Sequence, residues 1–289
     1  MLQLFTDTDC DVTPEIAKEY GYALISMPYS IDGKSVHPYE DFDVFDPHEF
    51  YERLRGGVIP NTSAISREKY IEIFEPYFQN GYDILYVHFS RVMSASFEAM
   101  DQAVAELKEH YPEREFYEID TKGITIAGLN IVYEVGDMIK AGASVDQVLS
   151  WADTEVDRFA TYLFADDLKF FKHSGRVTGL AATMGTLLGV RPIICMNKEG
   201  KMDSVGTERG RARAIEKLLT YVEELGDDIK KHRVIIGNSD ALEIADEIEA
   251  RLKEKYGSDL NILKVPVNPT AGSHCGPNAV GICFYAKHR

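Results

Sequence analysis

ILYVHFSRVMSASFEAMDQAVAELKEHYPEREFYEI, which runs from Ile84 to Ile119, decides how the chain is built. It begins with an apolar run, Ile84 to Phe89, of strand length, and that run stops at Ser90. Phe97, Met100, Val104 and Leu107 then recur at helical spacing and predict a helix from about Ser94 to His110. From Glu115 to Ile119 the pattern returns to a strand. Strand, helix and strand in immediate succession argue for a doubly wound, mainly parallel sheet.

The same alternation extends on both sides. Toward the N-terminus, Leu2 to Thr6 reads as a buried strand, followed by the polar turn Asp7-Thr8-Asp9-Cys10-Asp11. A helix follows from Pro14 to Tyr20, with Thr13 as its N-cap and proline at the first helical position. Ala23 to Ile31 is expected to form one further strand, Asp32-Gly33 a turn, and Ser66 to cap a helix carrying Tyr70, Ile73, Phe74 and Tyr77 on one face. Toward the C-terminus, helices are expected at Ile124 to Ile139 and Val145 to Phe159.

A second α/β unit begins near Ala160, in residues 159–289. Phe164 to Ile194 contains a short amphipathic helix ended by His173-Ser174-Gly175-Arg176, where glycine supplies a left-handed cap. Small and apolar residues fill Gly179 to Gly189, and Val190 to Ile194 reads as a strand. Strands at Met202–Gly206, Arg233–Gly237, Asn261–Val265 and Val280–Tyr285 are interleaved with helices at Arg209–Glu224 and Ala241–Lys255. The expectation is an α/β protein of two domains, 1–158 and 159–289, the first a doubly wound sheet, the second a mixed α/β sandwich, with a ligand at their interface. No Pro-, Gly- or Ser-rich linker marks the boundary.

Composition narrows the function classes. With 289 residues, 31 basic and 47 acidic, the net charge of -16 disfavours nucleic acid as a partner, because phosphate-backbone binding needs clustered Lys and Arg. Met1 to Phe5 is strand-like and reaches Asp7 at once, so no leader peptide is expected. The uncharged stretch from Val265 to Ala286 is broken by Pro266, Pro269, Gly272, Gly276 and Pro277, which a membrane helix would not readily accept. Cys10, Cys195, Cys275 and Cys283 form no CxxC pair, which makes a reducing cytoplasm the expected home.

Four clusters carry possible chemistry. Carboxylates at the first and third positions of the Asp7–Asp11 turn, Asp7 and Asp9, suit the nucleophile and acid/base of a Mg2+-dependent, haloacid-dehalogenase-type phosphatase, with Ser90 and Asp166-Asp167 in further roles. Asp11 stands where that motif has Thr or Val, and a plain polar turn explains the acids as well. An EF-hand is a worse fit, since Val12 replaces the turn glycine. Pro60-Asn61-Thr62-Ser63-Ala64-Ile65-Ser66 and Ser90-Arg91-Val92-Met93-Ser94-Ala95-Ser96 are hydroxyl-rich approaches to helices, where unpaired N–H groups and the helix dipole favour an anion. Both are expected at the same edge of the sheet. Finally, His274 beside Gly276-Pro277 can hydrogen-bond an anion, although a lone histidine is commonly structural. No GxGxxG, P-loop, GxSxG or HExxH pattern occurs.

Taken in order, Asn61-Thr62-Ser63, Ser90 through Ser94, Asp120-Thr121, Gly175-Arg176, Arg191-Pro192, Arg209 and His274-x-Gly276-Pro277 resemble the DegV family of bacterial fatty-acid-binding proteins over essentially the whole chain. The resemblance implies a cytoplasmic carrier of one long-chain fatty acid, of the palmitate, stearate or oleate class, with no cofactor and no catalytic motif of its own. It implies that Thr62, Ser63, Ser94, Ala95 and His274 hold the carboxylate, and that Arg176 assists phosphate transfer by a separate fatty-acid kinase. Leu180, Met184, Leu187 and Leu188 recur at helical spacing and are candidates to line the acyl chain, as ordinary core packing would also have them do. The acidic surface suggests only transient membrane contact. Three departures from the family pattern stand out: Ala64-Ile65 in the first hydroxyl cluster, Ala95 where glycine is usual, and Ser174 before Gly175.

Overall fold

A computed structural model describes residues 1–179 and 189–289. The chain runs β1 (Leu2–Asp7), α1 (Pro14–Tyr20), β2 (Tyr22–Ile25), β3 (Tyr29–Ile31), β4 (Lys34–Val36), α2 (Pro47–Arg55), β5 (Asn61–Thr62), α3 (Arg67–Gln79), β6 (Asp83–His88), α4 (Ser96–His110), β7 (Phe116–Asp120), α5 (Ile126–Lys140) and α6 (Val145–Glu155). It continues with β8 (Phe159–Phe164), α7 (Lys169–Ser174), β9 (Val177–Thr178), β10 (Val190–Met196), β11 (Met202–Arg209), α8 (Arg211–Leu225), β12 (Val234–Asn238), α9 (Leu242–Tyr256), β13 (Ile262–Pro266), α10 (Pro269–Cys275) and β14 (Val280–Tyr285).

The β-α-β reading holds. β6 and β7 pair in parallel, and the four-stranded sheet has the order β2-β1-β6-β7 with every pairing parallel. The second sheet is mixed, in the order β13-β12-β14-β8-β10-β11-β9. Its central strands bury alternate side chains on opposite faces. Ala160, Tyr162 and Phe164 of β8, Val234 and Ile236 of β12, and Val280, Ile282 and Phe284 of β14 pack with Leu218 and Val222 of α8 and Ile244, Ile248 and Leu252 of α9. The other face turns toward α5, which also contacts β6 and so lies between the two sheets. That position explains why α5 is apolar nearly all round, with Ile126, Leu129, Ile131, Val132 and Val135 all buried.

Several local expectations are corrected. Ala23 to Ile31 is not one strand: β2 ends at Ile25, Pro28 has no N–H to give a ladder, and β3 turns away to pair with β4 and β5 in a small antiparallel sheet. Asn61-Thr62 is therefore a short strand and not a loop. The helix after Ser144 stops at Glu155, and Phe159 belongs to β8, where the Arg158 carbonyl accepts from Ala286 N at 2.7 Å. His274 sits in helix α10, capped by Asn268 with Pro269 at the first helical position. Thr13 and Ser66 cap their helices as expected, and Gly175 ends α7 at φ 63°.

Candidate functional site

The face of the mixed sheet toward α5 is where the site begins. Thr161 and Leu163 of β8, Gly237 of β12 and Gly281 of β14 lie there, and the small ones leave space. With Met93, Phe171, Met196, Met202 and the start of α5 they line an apolar cavity, the kind of mostly apolar lining usual for small-molecule sites. A methyl group on Gly237 would come within 2.6 Å of Ile126 Cγ2, so glycine there is needed for α5 to approach the sheet. Leu180, Met184, Leu187 and Leu188 lie outside the described residues.

A second, more polar cavity adjoins it and shares Met93, Ile124 and His274 with it. Its wall brings together Thr62, Ser63, Ser94, Ala95, Arg176 and His274, all the head-group and arginine positions singled out above. They arrive from different directions: Thr62 from β5, Ser94 and Ala95 from the turn between β6 and α4, Arg176 from just past α7, His274 from α10. Thr62 Oγ1 lies 3.0 Å from His274 Nε2. Ser94 Oγ donates to Ser96 Oγ at 3.0 Å, which also accepts from Ile65 N at 3.0 Å and so ties the two hydroxyl clusters to each other. Arg176 Nε donates to the Met93 carbonyl at 3.2 Å, and its Nη1 donates to the Ser174 carbonyl at 2.9 Å.

Electrostatics make this a site of neutral donors beside one guanidinium. Burial, reinforced by Arg176 and His173, lowers His274 to about 4, so its ring is uncharged at neutral pH. Residues not foreseen as lining are Thr270, Met27 and Asp9. Thr270 Oγ1 donates to the Met27 carbonyl at 2.7 Å. Thr125, a β-branched residue at φ 53°, donates its amide to the Asp9 carbonyl at 2.6 Å and fixes the acidic turn against the start of α5.

The phosphatase arrangement finds no support in this geometry. Asp7 is fully buried and turned inward, its Oδ1 accepting from Cys10 N at 3.1 Å and its Oδ2 from Tyr86 Oη at 3.0 Å and Phe89 N at 3.2 Å. Ser90 Oγ donates to the Gly200 carbonyl, and Asp166 is held by Arg191 and Arg211. Neither cavity is lined by Asp7, Ser90, Asp166 or Asp167. Among the described residues, the one group with ligand atoms close enough for a metal, His48, Glu52 and Asp240, lies elsewhere and is already paired with Arg55. No described helix is long and apolar enough to cross a membrane.

A family model described as an uncharacterised protein of the DegV family matches residues 1–287. The chain belongs to the DegV family. A DegV domain-containing protein of Clostridium perfringens is 28% identical over 281 residues, covering 97% of this chain and 96% of the relative. Among solved structures, a DegV protein of Thermus thermophilus described by its fatty acid binding superposes with a TM-score of 0.86 at 22% identity, covering 99% of each chain. A stearic-acid-binding protein of Eubacterium ventriosum gives a TM-score of 0.86 at 21% identity, again over 99% of each. The DegV fold, with one parallel and one mixed sheet, is thus shared along the whole chain.

Proposed function

We propose that this DegV-family chain carries one long-chain fatty acid, of the palmitate, stearate or oleate class, with its acyl chain in the apolar cavity and its carboxylate in the polar one. The observation that carries this reading is the joint between the two cavities at Met93, Ile124 and His274. A ligand with a long apolar end and a single anionic end fits both at once. The fatty-acid ligands named for the Thermus and Eubacterium proteins point the same way.

In this reading residues 1–158 form a domain that supplies Thr62, Ser63, Ser94 and Ala95, and residues 159–289 form one that supplies Arg176, His274 and most of the chain-lining wall. Burying the acyl chain contributes on the order of 10 kcal/mol at about 0.8 kcal/mol per CH2, before binding costs. Each hydrogen bond to the carboxylate adds about 1.5–3 kcal/mol at best, since it replaces water. The tail sets affinity and the head group sets orientation. The chain acts as a carrier without chemistry of its own in the bacterial cytoplasm, meets the membrane only transiently, and presents the carboxylate for phosphorylation by a separate fatty-acid kinase, with Arg176 assisting the transfer.

The test is native mass spectrometry of the purified protein, followed by organic extraction. One fatty acid per chain is expected, and Thr62→Ala or His274→Ala should lose it about tenfold more readily. Arg176→Ala should retain the lipid yet yield no acyl phosphate with a partner kinase. A protein that is empty and takes up no added fatty acid would overturn the carrier reading, and equal loss of lipid and phosphate transfer in Arg176→Ala would remove that arginine's separate role.

A further inference from the structure

Among the described residues, Asp9 is the one that brings a carboxyl group to the wall of the polar cavity. Its side chain is only 6% exposed, and its Oδ1 has no hydrogen-bond partner among the described residues. A buried carboxyl without a partner costs stability unless something outside the chain completes it. Its neighbours on the same turn are used differently. Asp7 accepts three hydrogen bonds, and Asp11 Oδ1 accepts from Asn268 N at 2.9 Å and Asn268 Nδ2 at 2.8 Å, although Asp11 Oδ2, like Asp9 Oδ1, has no partner among the described residues. Asp9 alone faces the cavity.

An ionised Asp9 would repel an anionic head group; a protonated one would donate to it. The groups around it decide between the two. Burial, with Asp7 and then Asp11 adding like charge from the same turn, pushes Asp9 well above the usual carboxylate range. From α10, His274 faces the cavity uncharged, and from the segment after α7, Arg176 is bonded to the Met93 and Ser174 carbonyls and forms no ion pair with Asp9. Thr125 N, bonded to the Asp9 carbonyl, fixes the turn against the start of α5.

We infer that Asp9 is a ligand of the head group, its protonated carboxyl donating a hydrogen bond to the carboxylate of the bound fatty acid so that the pair shares one proton. This rests on the carrier reading above and deepens it. The hydroxyls and His274 also donate, but loss of the Asp9 proton would replace a donor by a like charge. Acid favours holding the lipid, and alkali favours releasing it.

The experiment measures the affinity of the full-length, delipidated chain for carboxyl-13C-labelled oleate from about pH 6 to about pH 9, a window in which a free carboxylic acid is already ionised. If Asp9 loses its proton within this window, the wild-type chain should bind more weakly at the alkaline end. Asp9→Asn, which keeps a donor that cannot ionise, should bind within a few-fold of wild type at low pH and with a shallower pH slope than wild type. Asp9→Leu, of similar size without a donor, should bind weakly throughout, and the 13C carboxyl resonance should move with pH in wild type alone. An Asn variant as weak as the Leu variant while both retain native circular dichroism would overturn the assignment of Asp9 and leave the carrier reading intact. A wild-type chain that binds no oleate at any pH would overturn both.

Discussion

Asp11 shows how much a single buried acid in the β1–α1 turn shapes stability. It adopts φ 52°, a left-handed conformation that Asp and Asn tolerate, and burial raises it to about 7 against two hydrogen bonds from Asn268 that lower it. The folded chain therefore holds this proton more tightly than the unfolded one, whose carboxyl titrates near the ordinary value. The stability that this one group contributes is greatest below about pH 4 and is lost as pH rises through about 7, by on the order of 2–4 kcal/mol. Asp11→Asn keeps an oxygen for Asn268 and removes the ionisation. Thermal unfolding should show the variant more stable than wild type at about pH 8 and nearly equal to it at about pH 4; a variant less stable at both would mean that Asp11 works as an anion. At this scale the sequence was partly legible. Thr62, Ser94, Arg176 and His274 converge on one cavity as the motif order implied. The place of Asp9 was hidden, because three acids at alternate positions of a tight turn do not reveal which side chain points inward.

Among the elements, those with strong periodicity were readable and those without were not. β6, α4 and β7 appear almost where the alternation predicts them. β3, β4 and β5 are two or three residues each, too short for any pattern to register. α10 reads Pro269-Thr-Ala-Gly-Ser-His-Cys275, small residues with no apolar stripe, because it is buried on nearly every side. Its signal was the cap: Asn268 followed by proline. α2 carried the same kind of signal in Asp46-Pro47. The element whose alteration should be most informative is β12. Gly237→Ala places a methyl group 2.6 Å from Ile126 Cγ2, so either α5 shifts or the cavity narrows. The expected cost is about 1–3 kcal/mol in chemical unfolding, together with a shift of the extracted lipid to shorter chains; an unchanged lipid profile and midpoint would show that α5 yields freely.

Over the whole molecule, the two sheets are not independent packages. One continuous core joins Leu4, Phe5 and Ile84 of the parallel sheet to Ile194, Ile235 and Cys283 of the mixed one, and α5 is common to both. That continuity was not legible in the sequence, where each half shows its own complete β-α pattern and nothing marks α5 as shared. The cavity lies within this joint, so its contents bear on the stability of the entire chain. With the ligand at a hundredfold its dissociation constant, binding adds about 2.7 kcal/mol, and delipidation should lower the melting temperature by about 5–10 °C. Calorimetry before and after extraction measures this directly, and an identical melting temperature would show that the contents contribute nothing.

The hollow face formed by Thr161, Gly237 and Gly281 has one more consequence. The small residues there leave room, and on the carrier proposal the acyl chain that lodges in it would serve as a side chain that no codon specifies. On that proposal the finished interior would be assembled from two sources, the gene and the cell's supply of lipid. When the second runs short, proteases would meet a chain whose core is incomplete, and its abundance would fall without any change in its expression.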